Sequence, residues 1–499
     1  MLKSRSSDGR CLTLLVPSLT ALSMFASCTS DTVHDTLDAG TDASADVSVT
    51  DSGNGTGSDA ASGDATLDSD ATLDSDATVD GAPDAALPGD GDGDGWQDED
   101  EVSCGTDPEN AESLPDPNFI PGAGTEEDPY RLCFIDHLDA VRTNPQQLNC
   151  DTGSPQPDGG TSPPLSCYLR LGRDIDASSG SSPLSSWAVL EGSLDGAGFT
   201  ISNLTRAFIT ELGVDASVHD LSVHSTTQIR ETLGLLAHIN NGSVSRCHAS
   251  GEVTTGTTGQ NGNKAGLLIG DNRGLIENSS SSGSISGRNW LGGLVGSSRG
   301  TIVRSFSSAT VNGGNRVGGL LGSTEKIGGT VLQSYATGSV TGKAYVGGLI
   351  GSIQHQLNAP IGRVENSYAL SEFVEAPDYK LGGLVGINEG NVYRCYSSTS
   401  VRRTDAIPPV DAGPDGGDAG DSGPSFPDAQ GLVGSILDPG TIIASYYNDT
   451  LTPNGRLGIP LSQLEMEAQN SFSPWDFATA VWKFDNELSA LPVLSWQSL

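Results

Sequence analysis

A short phrase that recurs along the second half of the chain limits what this chain can fold into more than any other feature. Its clearest copy, residues 291–311, reads LGGLVGSSRGTIVRSFSSATV. Related copies begin at Leu233, Ala265, Val317, Val346, Leu381 and Gln430. The glycine before the first apolar pair lies at Gly234, Gly266, Gly293, Gly319, Gly348, Gly383 and Gly431. Subtracting successive positions gives steps of 32, 27, 26, 29, 35 and 48 residues, which are typical of a stacked repeat.

Each copy is built from short runs with β-forming composition. In the clearest copy the apolar run 293–296 precedes a polar turn at 297–300, a β-rich run at 301–307 and a third piece that ends at Val311. These runs are too short for helices and are bounded by Gly, Asn and Ser. One coil of three short strands cannot bury its own apolar side chains, but stacked coils can, at a spacing of about 4.8 Å. The pattern therefore predicts an all-β fold, a parallel β-solenoid in which Leu294, Leu320 and Leu349 are vertical neighbours.

The Gly-Leu-aliphatic-Gly core of these copies resembles the GLUG-motif family. The core is complete in the five copies that start at Gly293, Gly319, Gly348, Gly383 and Gly431. The first copy has Ala237 in place of the last glycine, and the second reads Gly266-Leu267-Leu268-Ile269 before Gly270. The resemblance implies a β-solenoid of bacterial surface or secreted proteins and no particular reaction. It divides the chain into an N-terminal cap with first coils at 125–232, repeats at 233–456 and a C-terminal cap at 457–499, which contains Trp475, Trp482 and Trp496.

The N-terminal part of the chain predicts export. Residues 1–28 combine a basic start with an apolar run and end in Phe25-Ala26-Ser27-Cys28, which resembles a bacterial lipobox. Cys28 is thus predicted to be lipid-modified and to anchor the chain to a membrane, with an ordinary cleaved signal or an uncleaved anchor as alternatives. Residues 29–89 form an Asp/Ala/Ser/Gly-rich linker that we expect to be disordered, and the insertion 405–430 copies its composition. The expected location is the outer membrane or cell surface, or else secretion.

Acidic residues greatly outnumber basic ones. The chain has 63 Asp and Glu against 25 Lys and Arg, with a formal net charge of -38. This charge argues against nucleic acid and anionic lipid surfaces as direct partners.

The segment 90–101, DGDGDGWQDEDE, matches the calcium-loop pattern D-x-D-x-D-G-x5-E. Its predicted ligands are the side chains of Asp90, Asp92, Asp94, Asp98 and Glu101 and the backbone carbonyl of Trp96. Together with its continuation to residue 116, the segment resembles thrombospondin type 3-like repeats. The alternative is an Asp/Gly-rich linker that produces the pattern by chance. We expect a weak Ca²⁺ site, with a dissociation constant on the order of 10⁻⁴ to 10⁻³ M.

Six cysteines follow Cys28. The expected disulfides are Cys104–Cys133, which brackets the exit of the acidic loop, and Cys150–Cys167, which brackets a Pro/Gly-rich loop. Cys247 and Cys395 share one position of the repeat, which holds Ser in the other copies. Five coils separate them, about 24 Å, so they are expected to be free and buried.

The next position of the repeat carries mostly aromatic residues: Phe306, Tyr335, Tyr368, Tyr396 and Tyr446. Stacked coils would align these rings in one column. If the column faces outward, it could stack on sugar rings as a ligand stripe. If it faces inward, it belongs to the core.

No residue is predicted to be catalytic. Asp174, Asp176 and Asp195 could form the acid pair of a polysaccharide hydrolase, but their neighbours favour turn and strand positions. We therefore expect a non-enzymatic, surface-anchored binding or adhesion protein whose ligand is a glycan or another surface molecule. The alternatives are a polysaccharide-acting β-helix enzyme and a scaffold without ligand. Convergence of three or more charged side chains on one exposed face would favour the enzyme.

Overall fold

A computed structural model describes the chain over residues 89–150, 164–180, 184–230, 233–255, 263–377, 380–404, 430–453, 455, 457–475, 477–478, 481–485 and 489–497. These residues belong to one unit, Gly81–Leu499. The predicted signal peptide with Cys28, the linker up to residue 88 and the insertion up to residue 429 lie outside the described residues.

The described chain folds into a parallel β-solenoid, as predicted, because equivalent strands of successive coils pair in parallel. Sheet 1 contains Tyr130–Leu132, Tyr168–Leu171, Ser193–Asp195, Ser217–His219, Ser243–Ser245, Leu275–Glu277, Thr301–Val303, Thr330–Leu332, Arg363–Glu365, Asn391–Tyr393 and Thr441–Ile443. Sheet 3 contains Trp187–Leu190, Ile209–Leu212, Ala237–Asn240, Ile269–Asn272, Val295–Ser298, Leu321–Thr324, Ile350–Ile353, Val385–Asn388 and Val433–Ile436.

Two further parallel sheets complete the coils. Sheet 2 contains Ile175–Asp176, Thr200–Ser202, Ser222–His224, Ile229–Arg230, His248–Thr254, Ser280–Ser286, Phe306–Ser307, Thr310–Asn312, Tyr335–Ala336, Val340–Thr341, Tyr368–Ala369, Phe373–Ala376, Tyr396–Ser397, Ser400–Arg403, Tyr446–Asn448 and Ile459–Leu461. Sheet 4 contains Asn263–Ala265, Asn289–Gly292, Asn315–Gly318, Ala344–Gly347 and Leu381–Gly382.

Backbone hydrogen bonds place the repeated leucines directly above one another. The N–H of Leu294 donates to the carbonyl of Leu320 at 3.1 Å, and that of Leu320 donates to Leu349 at 3.0 Å. All three side chains are fully buried. The N–H of Leu384 reaches the carbonyl of Leu432 at 2.8 Å, so the coils stay stacked on either side of the insertion. The predicted register is confirmed.

The second copy is shifted by one residue from its predicted alignment. The pairing of Ala265 with Leu291 places Gly266 opposite Gly292, and the N–H of Leu267 donates to the carbonyl of Gly293 at 3.1 Å. The step between these copies is therefore 26 residues, not 27. The apolar pair, rather than the first glycine, sets the register because its side chains fill the interior.

Among the described residues, three strands per coil is correct for the first repeat, from Ala237–Asn240, and the last, from Val433–Ile436, and wrong for the repeats between them. The coil that starts at Asn289 has five strands: Asn289–Gly292, Val295–Ser298, Thr301–Val303, Phe306–Ser307 and Thr310–Asn312. The run predicted at 301–307 is divided at Arg304, whose φ of 47° turns the chain. The polar residues before the phrase also pair, and they form sheet 4.

A column made mostly of serines lies at the corner after the sheet 1 strands of the repeats. The hydroxyl of Ser305 accepts from the N–H of Ser279 at 3.1 Å and donates to the carbonyl of Val303 at 2.9 Å. Ser334 and Ser367 repeat this pattern. Cys247 and Cys395 fill the same column and are free and buried, as the repeat position predicts.

The N-terminal end of the solenoid is covered by the helix Ile135–Thr143. Leu138 and Val141 are buried on its inner face. The indole N–H of Trp187, in the first sheet 3 strand, donates to the carbonyl of Leu138 at 3.0 Å. The helix thus closes the apolar interior at this end.

The C-terminal segment extends beyond the last coil. After the strand Ile459–Leu461 it forms the helix Gln463–Met466, a 3-10 turn at Gln469–Ser471 and an antiparallel pair of strands, Trp482–Asp485 and Ser489–Leu494. The indole N–H groups of its three tryptophans reach corner residues of three coils: Trp475 donates to Ala444, Trp482 to Asn366 and Trp496 to Gln333. The segment therefore lies along the outside of sheet 2. None of the described helices has the length and apolar character needed to cross a membrane.

Candidate functional site

The acidic segment forms a tight loop that leads into the helix Asp98–Cys104. Carboxylate oxygens of Asp90, Asp92 and Asp94 lie within 4.8 Å of one another. The N–H groups of Gly93 and Gly95 donate to the two oxygens of Asp90 at 2.7 and 3.1 Å. Gly95 has a φ of 96°, which a side chain would disfavour at this turn. The loop thus gathers three of the predicted ligands.

Several carboxylate oxygens in this loop lack a partner. Oδ2 of Asp92, Oδ2 of Asp94 and Oε2 of Glu101 are buried without a hydrogen bond. Burial, followed by the nearby Asp94 and Asp92 carboxylates, raises the pKa of the Glu101 carboxyl. Asp98 Oδ1 accepts from the N–H of Gly91 at 2.7 Å. Unpaired buried carboxylate oxygens are unfavourable, and a hard divalent cation satisfies them. The residues present therefore fit Ca²⁺.

The loop is attached firmly to the first coils. Cys104, at the end of its helix, is bonded to Cys133, which follows the first sheet 1 strand. The guanidinium of Arg173 lies 4.5 Å from the centre of the Trp96 ring. The second disulfide joins Cys150 and Cys167. The acidic loop and the first coils are therefore held together by covalent bonds and side-chain contacts.

The aromatic column lies on the outer face of sheet 2, because its neighbours in the chain, such as Ser305 and Ser307, are buried in the interior. Successive ring centres from Phe306 to Tyr335, Tyr368 and Tyr396 are 4.9, 4.9 and 5.0 Å apart, in stacked geometry. Outward stacking of this kind is one of the two alternatives that the sequence left open.

Most of this column is not accessible to a ligand. Tyr368, Tyr396 and Tyr446 are at most 2% exposed. The hydroxyl of Tyr396 donates to the carbonyl of Pro492 at 2.6 Å, and that of Tyr446 donates to Ser473. The alternative of an exposed ligand stripe is wrong for these three tyrosines, because the C-terminal segment covers them. Phe306 and Tyr335 are half-buried.

Two of the three aspartates considered for catalysis serve local structure. Asp174 Oδ1 accepts from the N–H of Thr200 at 2.7 Å. Asp176 accepts from the Asn203 amide and from the N–H of Ser178, both at 2.8 Å. These bonds, the one from Asn203 foremost, lower the pKa of Asp176.

Asp195 belongs to a cluster of charged side chains on sheet 1. Nδ1 of His219 lies 3.4 Å from Asp195 and 2.9 Å from Asp220. Arg170 lies 3.3 Å from Asp195, and Arg246 contacts both oxygens of Asp220 at 2.6 Å. Hydrogen bonds from Arg246 lower the pKa of Asp220 to about 2. The convergence that would favour an enzyme is thus present at this face, with both carboxylates held in ion pairs.

A second outer column alternates cationic and aromatic side chains. The pairing of sheet 4 aligns Lys264, Trp290, Arg316, Tyr345 and Lys380. The guanidinium of Arg316 lies 5.6 Å from the Trp290 ring centre and 5.3 Å from that of Tyr345. Nζ of Lys380 lies 4.7 Å from the Tyr345 ring centre. We call these five residues the cation–aromatic column.

A cleft of about 390 Å³ adjoins this column. Its cations are Lys264, Arg299 and Lys326, its acid is Glu325, and Trp290 lies in its wall. Its hydroxyl and amide groups belong to Ser297, Ser323, Gln354 and Gln356. Lys264 pairs with Glu325 and with Asp271. The cleft therefore carries more basic than acidic groups in a chain whose formal charge is -38.

The cation–aromatic column was not predicted from the sequence. Each of its residues stands directly before a copy of the phrase, one position outside the recurring pattern. In the aligned copies this position reads Lys264, Trp290, Arg316, Tyr345 and Lys380. The alternation of basic and aromatic residues was a signal that could have identified the column.

Comparison with known proteins assigns no family to this chain. No protein-family model matches it, and no curated protein does. Among solved structures it resembles one named "putative immunoglobulin A1 protease" from Bacteroides ovatus. That likeness has 18% identity and a TM-score of 0.40, and covers 76% of this chain and 95% of the other. Likeness at this level assigns neither an activity nor a ligand.

Proposed function

We propose that this protein is an exported, surface-tethered β-solenoid that binds a ligand without transforming it. The observation that carries the proposal is the cation–aromatic column with its adjoining cleft. Side chains from five coils form a continuous, half-exposed surface there. A rigid parallel stack that displays aligned side chains is well suited to recognition, because little conformational entropy is lost on binding.

Surface location is the second part of the proposal. It is supported by the basic and apolar leader, the lipobox-like sequence at Cys28 and the resemblance of the repeats to GLUG motifs. The acidic linker would then hold the solenoid away from a lipid anchor. Metabolic labelling with a palmitate analogue should modify the wild-type chain and leave Cys28→Ala unmodified; equal labelling of both would contradict the anchor.

Calcium is the third part. We propose that Asp90, Asp92, Asp94, Asp98 and Glu101, with the carbonyl of Trp96, hold one Ca²⁺ ion. Its role would be structural, because the Cys104–Cys133 bond couples the loop to the first coils. Calorimetric titration should show Ca²⁺ uptake with a dissociation constant of about 10⁻⁴ to 10⁻³ M. Asp94→Ala should abolish uptake, and Asp128→Ala, at an exposed acid outside the loop, should not. If neither variant loses Ca²⁺ uptake, or if the wild-type chain takes up no Ca²⁺, the loop is not the calcium site that we propose.

Binding is tested with the purified chain on a glycan array and on whole cells, with and without Ca²⁺. We expect retention of a restricted set of glycans or cell types. Retention of nothing would favour a scaffold without ligand, and turnover of any polysaccharide would favour an enzyme.

The enzyme remains a second candidate because of the charged cluster on sheet 1. Asp195 and Asp220 approach each other around His219, and paired carboxylates cleave glycosides. A general acid needs a raised pKa, however, and that of Asp220 is lowered to about 2. For this reason binding ranks first. Polysaccharide hydrolysis that disappears in Asp195→Asn would reverse the order.

A further inference from the structure

We propose that the cleft beside Trp290 binds an acidic saccharide, a sugar ring that carries a carboxylate. This inference rests on the proposed binding function and names its ligand class. The cleft volume of about 390 Å³ falls within the range of roughly 300–1,000 Å³ that is usual for small-ligand sites.

The charges of the cleft select an anion. Lys264 is occupied, because it reaches Glu325 and Asp271. Arg299 and Lys326 also line the cleft. Within the part of the chain that the structure describes, neither of their side chains has an ion pair. Two cations are therefore available to a carboxylate, and charge-assisted hydrogen bonds are the stronger ones.

The uncharged groups of the cleft suit a sugar. Gln356 is exposed and supplies an amide group that can exchange hydrogen bonds with ring hydroxyls. The hydroxyls of Ser297 and Ser323 line the cleft but already bond to groups of the protein. Ile327 and the Trp290 indole supply apolar surface for the C–H faces of a ring. A simple inorganic anion would leave these groups unused.

Trp290 contributes a ring face to the wall of the cleft. Its Nε1 is buried and, among the described residues, has no hydrogen-bond acceptor, so this N–H is closed to a ligand in the cleft. Its φ of 53° is close to those of Lys264, Arg316 and Tyr345 in the same column and belongs to the geometry of the coil. A sugar ring would therefore pack against the face of the indole through its C–H groups.

The experiment compares three probes by isothermal titration calorimetry with the purified chain: trigalacturonate, neutral maltotriose and sodium sulfate. We expect trigalacturonate to bind at least about tenfold more tightly than maltotriose, and sulfate to compete only weakly. Equal affinity for the two trisaccharides, or no measurable binding of trigalacturonate, would overturn the acidic-saccharide assignment. If sulfate displaced trigalacturonate at equal concentration, the assignment of a sugar as the ligand would be wrong.

Variants locate the binding. Arg299→Ala combined with Lys326→Ala should weaken trigalacturonate binding about tenfold or more. Trp290→Ala, which removes the ring face from the wall of the cleft, should weaken it severalfold. Lys343→Ala, at an exposed lysine that does not line the cleft, should stay within about twofold of wild type. Unchanged affinity in the double variant would show that the cleft is not the site. If that variant still binds the same glycans or cells on the array, ligand binding stands and only the cleft assignment fails.

Discussion

Ser305→Ala removes one hydroxyl from the buried serine column, and its effect can be worked out bond by bond. The hydroxyl accepts from the N–H of Ser279 and donates to the carbonyl of Val303. That carbonyl also accepts from the N–H of Asn278 at 3.1 Å, so it keeps a partner in the variant. Among the described residues, the N–H of Ser279 has no other acceptor in the variant, because it points into the packed corner.

The expected destabilisation is therefore that of one buried, unsatisfied N–H, about 1–3 kcal/mol of unfolding free energy. Ser305→Cys should cost less than Ser305→Ala. Cysteine occupies the same column at Cys247 and Cys395, where the Sγ atoms donate to carbonyls two residues earlier, so the side chain fits without strain.

Two measurements check this. Denaturant unfolding gives the free-energy differences, and hydrogen exchange read by mass spectrometry reports on the peptide that contains Ser279. The matched control is Ser308→Ala, since Ser308 lies in the same coil and is exposed. If Ser305→Ala matches this control within about 0.5 kcal/mol, and exchange at Ser279 is not faster, the column does not stabilise the corner as described.

Three further outcomes follow from the structure. Burial raises the pKa of the Cys247 and Cys395 thiols to about 12, so neither should react with a thiol reagent at pH 8 until the chain unfolds. Alkylation followed by mass spectrometry checks this, and alkylation of either cysteine in the folded protein would contradict it. Arg246→Gln should raise the pKa of Asp220 from about 2 toward its ordinary 3.8, as read by NMR titration. Because that pKa is lowered in the fold, the ion pair stabilises the protein above pH 3.8 and loses its effect as the pH falls through about 2. At neutral pH its contribution to the free energy of unfolding is at most about 1 kcal/mol, because the pair is partly exposed. An equal difference in stability between wild type and variant at neutral pH and at about pH 2 would refute this linkage. In Gly319→Ala, the new Cβ would lie 2.2 Å from the Gly348 carbonyl oxygen and 2.8 Å from Ala336, so thermal unfolding should show a loss of about 1–3 kcal/mol, and an unchanged midpoint would contradict the close packing.

The stacking of the coils could be predicted from the repeat alone. In a solenoid each strand pairs with its own equivalent, so an apolar pair that recurs along the chain specifies both the inward face and the register. Leu294, Leu320 and Leu349 became vertical neighbours for this reason, and the shared position of Cys247 and Cys395 predicted their burial. The number of strands per coil was harder to predict, because the turn at Arg304 comes from backbone conformation and not from a turn-forming residue type.

Which segments cover the outer faces of the sheets became apparent only in the folded chain. The tyrosine column could have been a binding surface, but the strands Trp482–Asp485 and Ser489–Leu494 belong to a segment that covers it. The cleft beside Trp290 likewise depends on Glu325, Lys326 and Ile327, which lie in the corner after the strand Leu321–Thr324 and outside the repeated strands. Coil stacking repeats one local pattern, whereas lateral contacts form between segments that do not repeat. Side-chain shape and charge at long sequence separation settle those contacts, and no periodic signal records them.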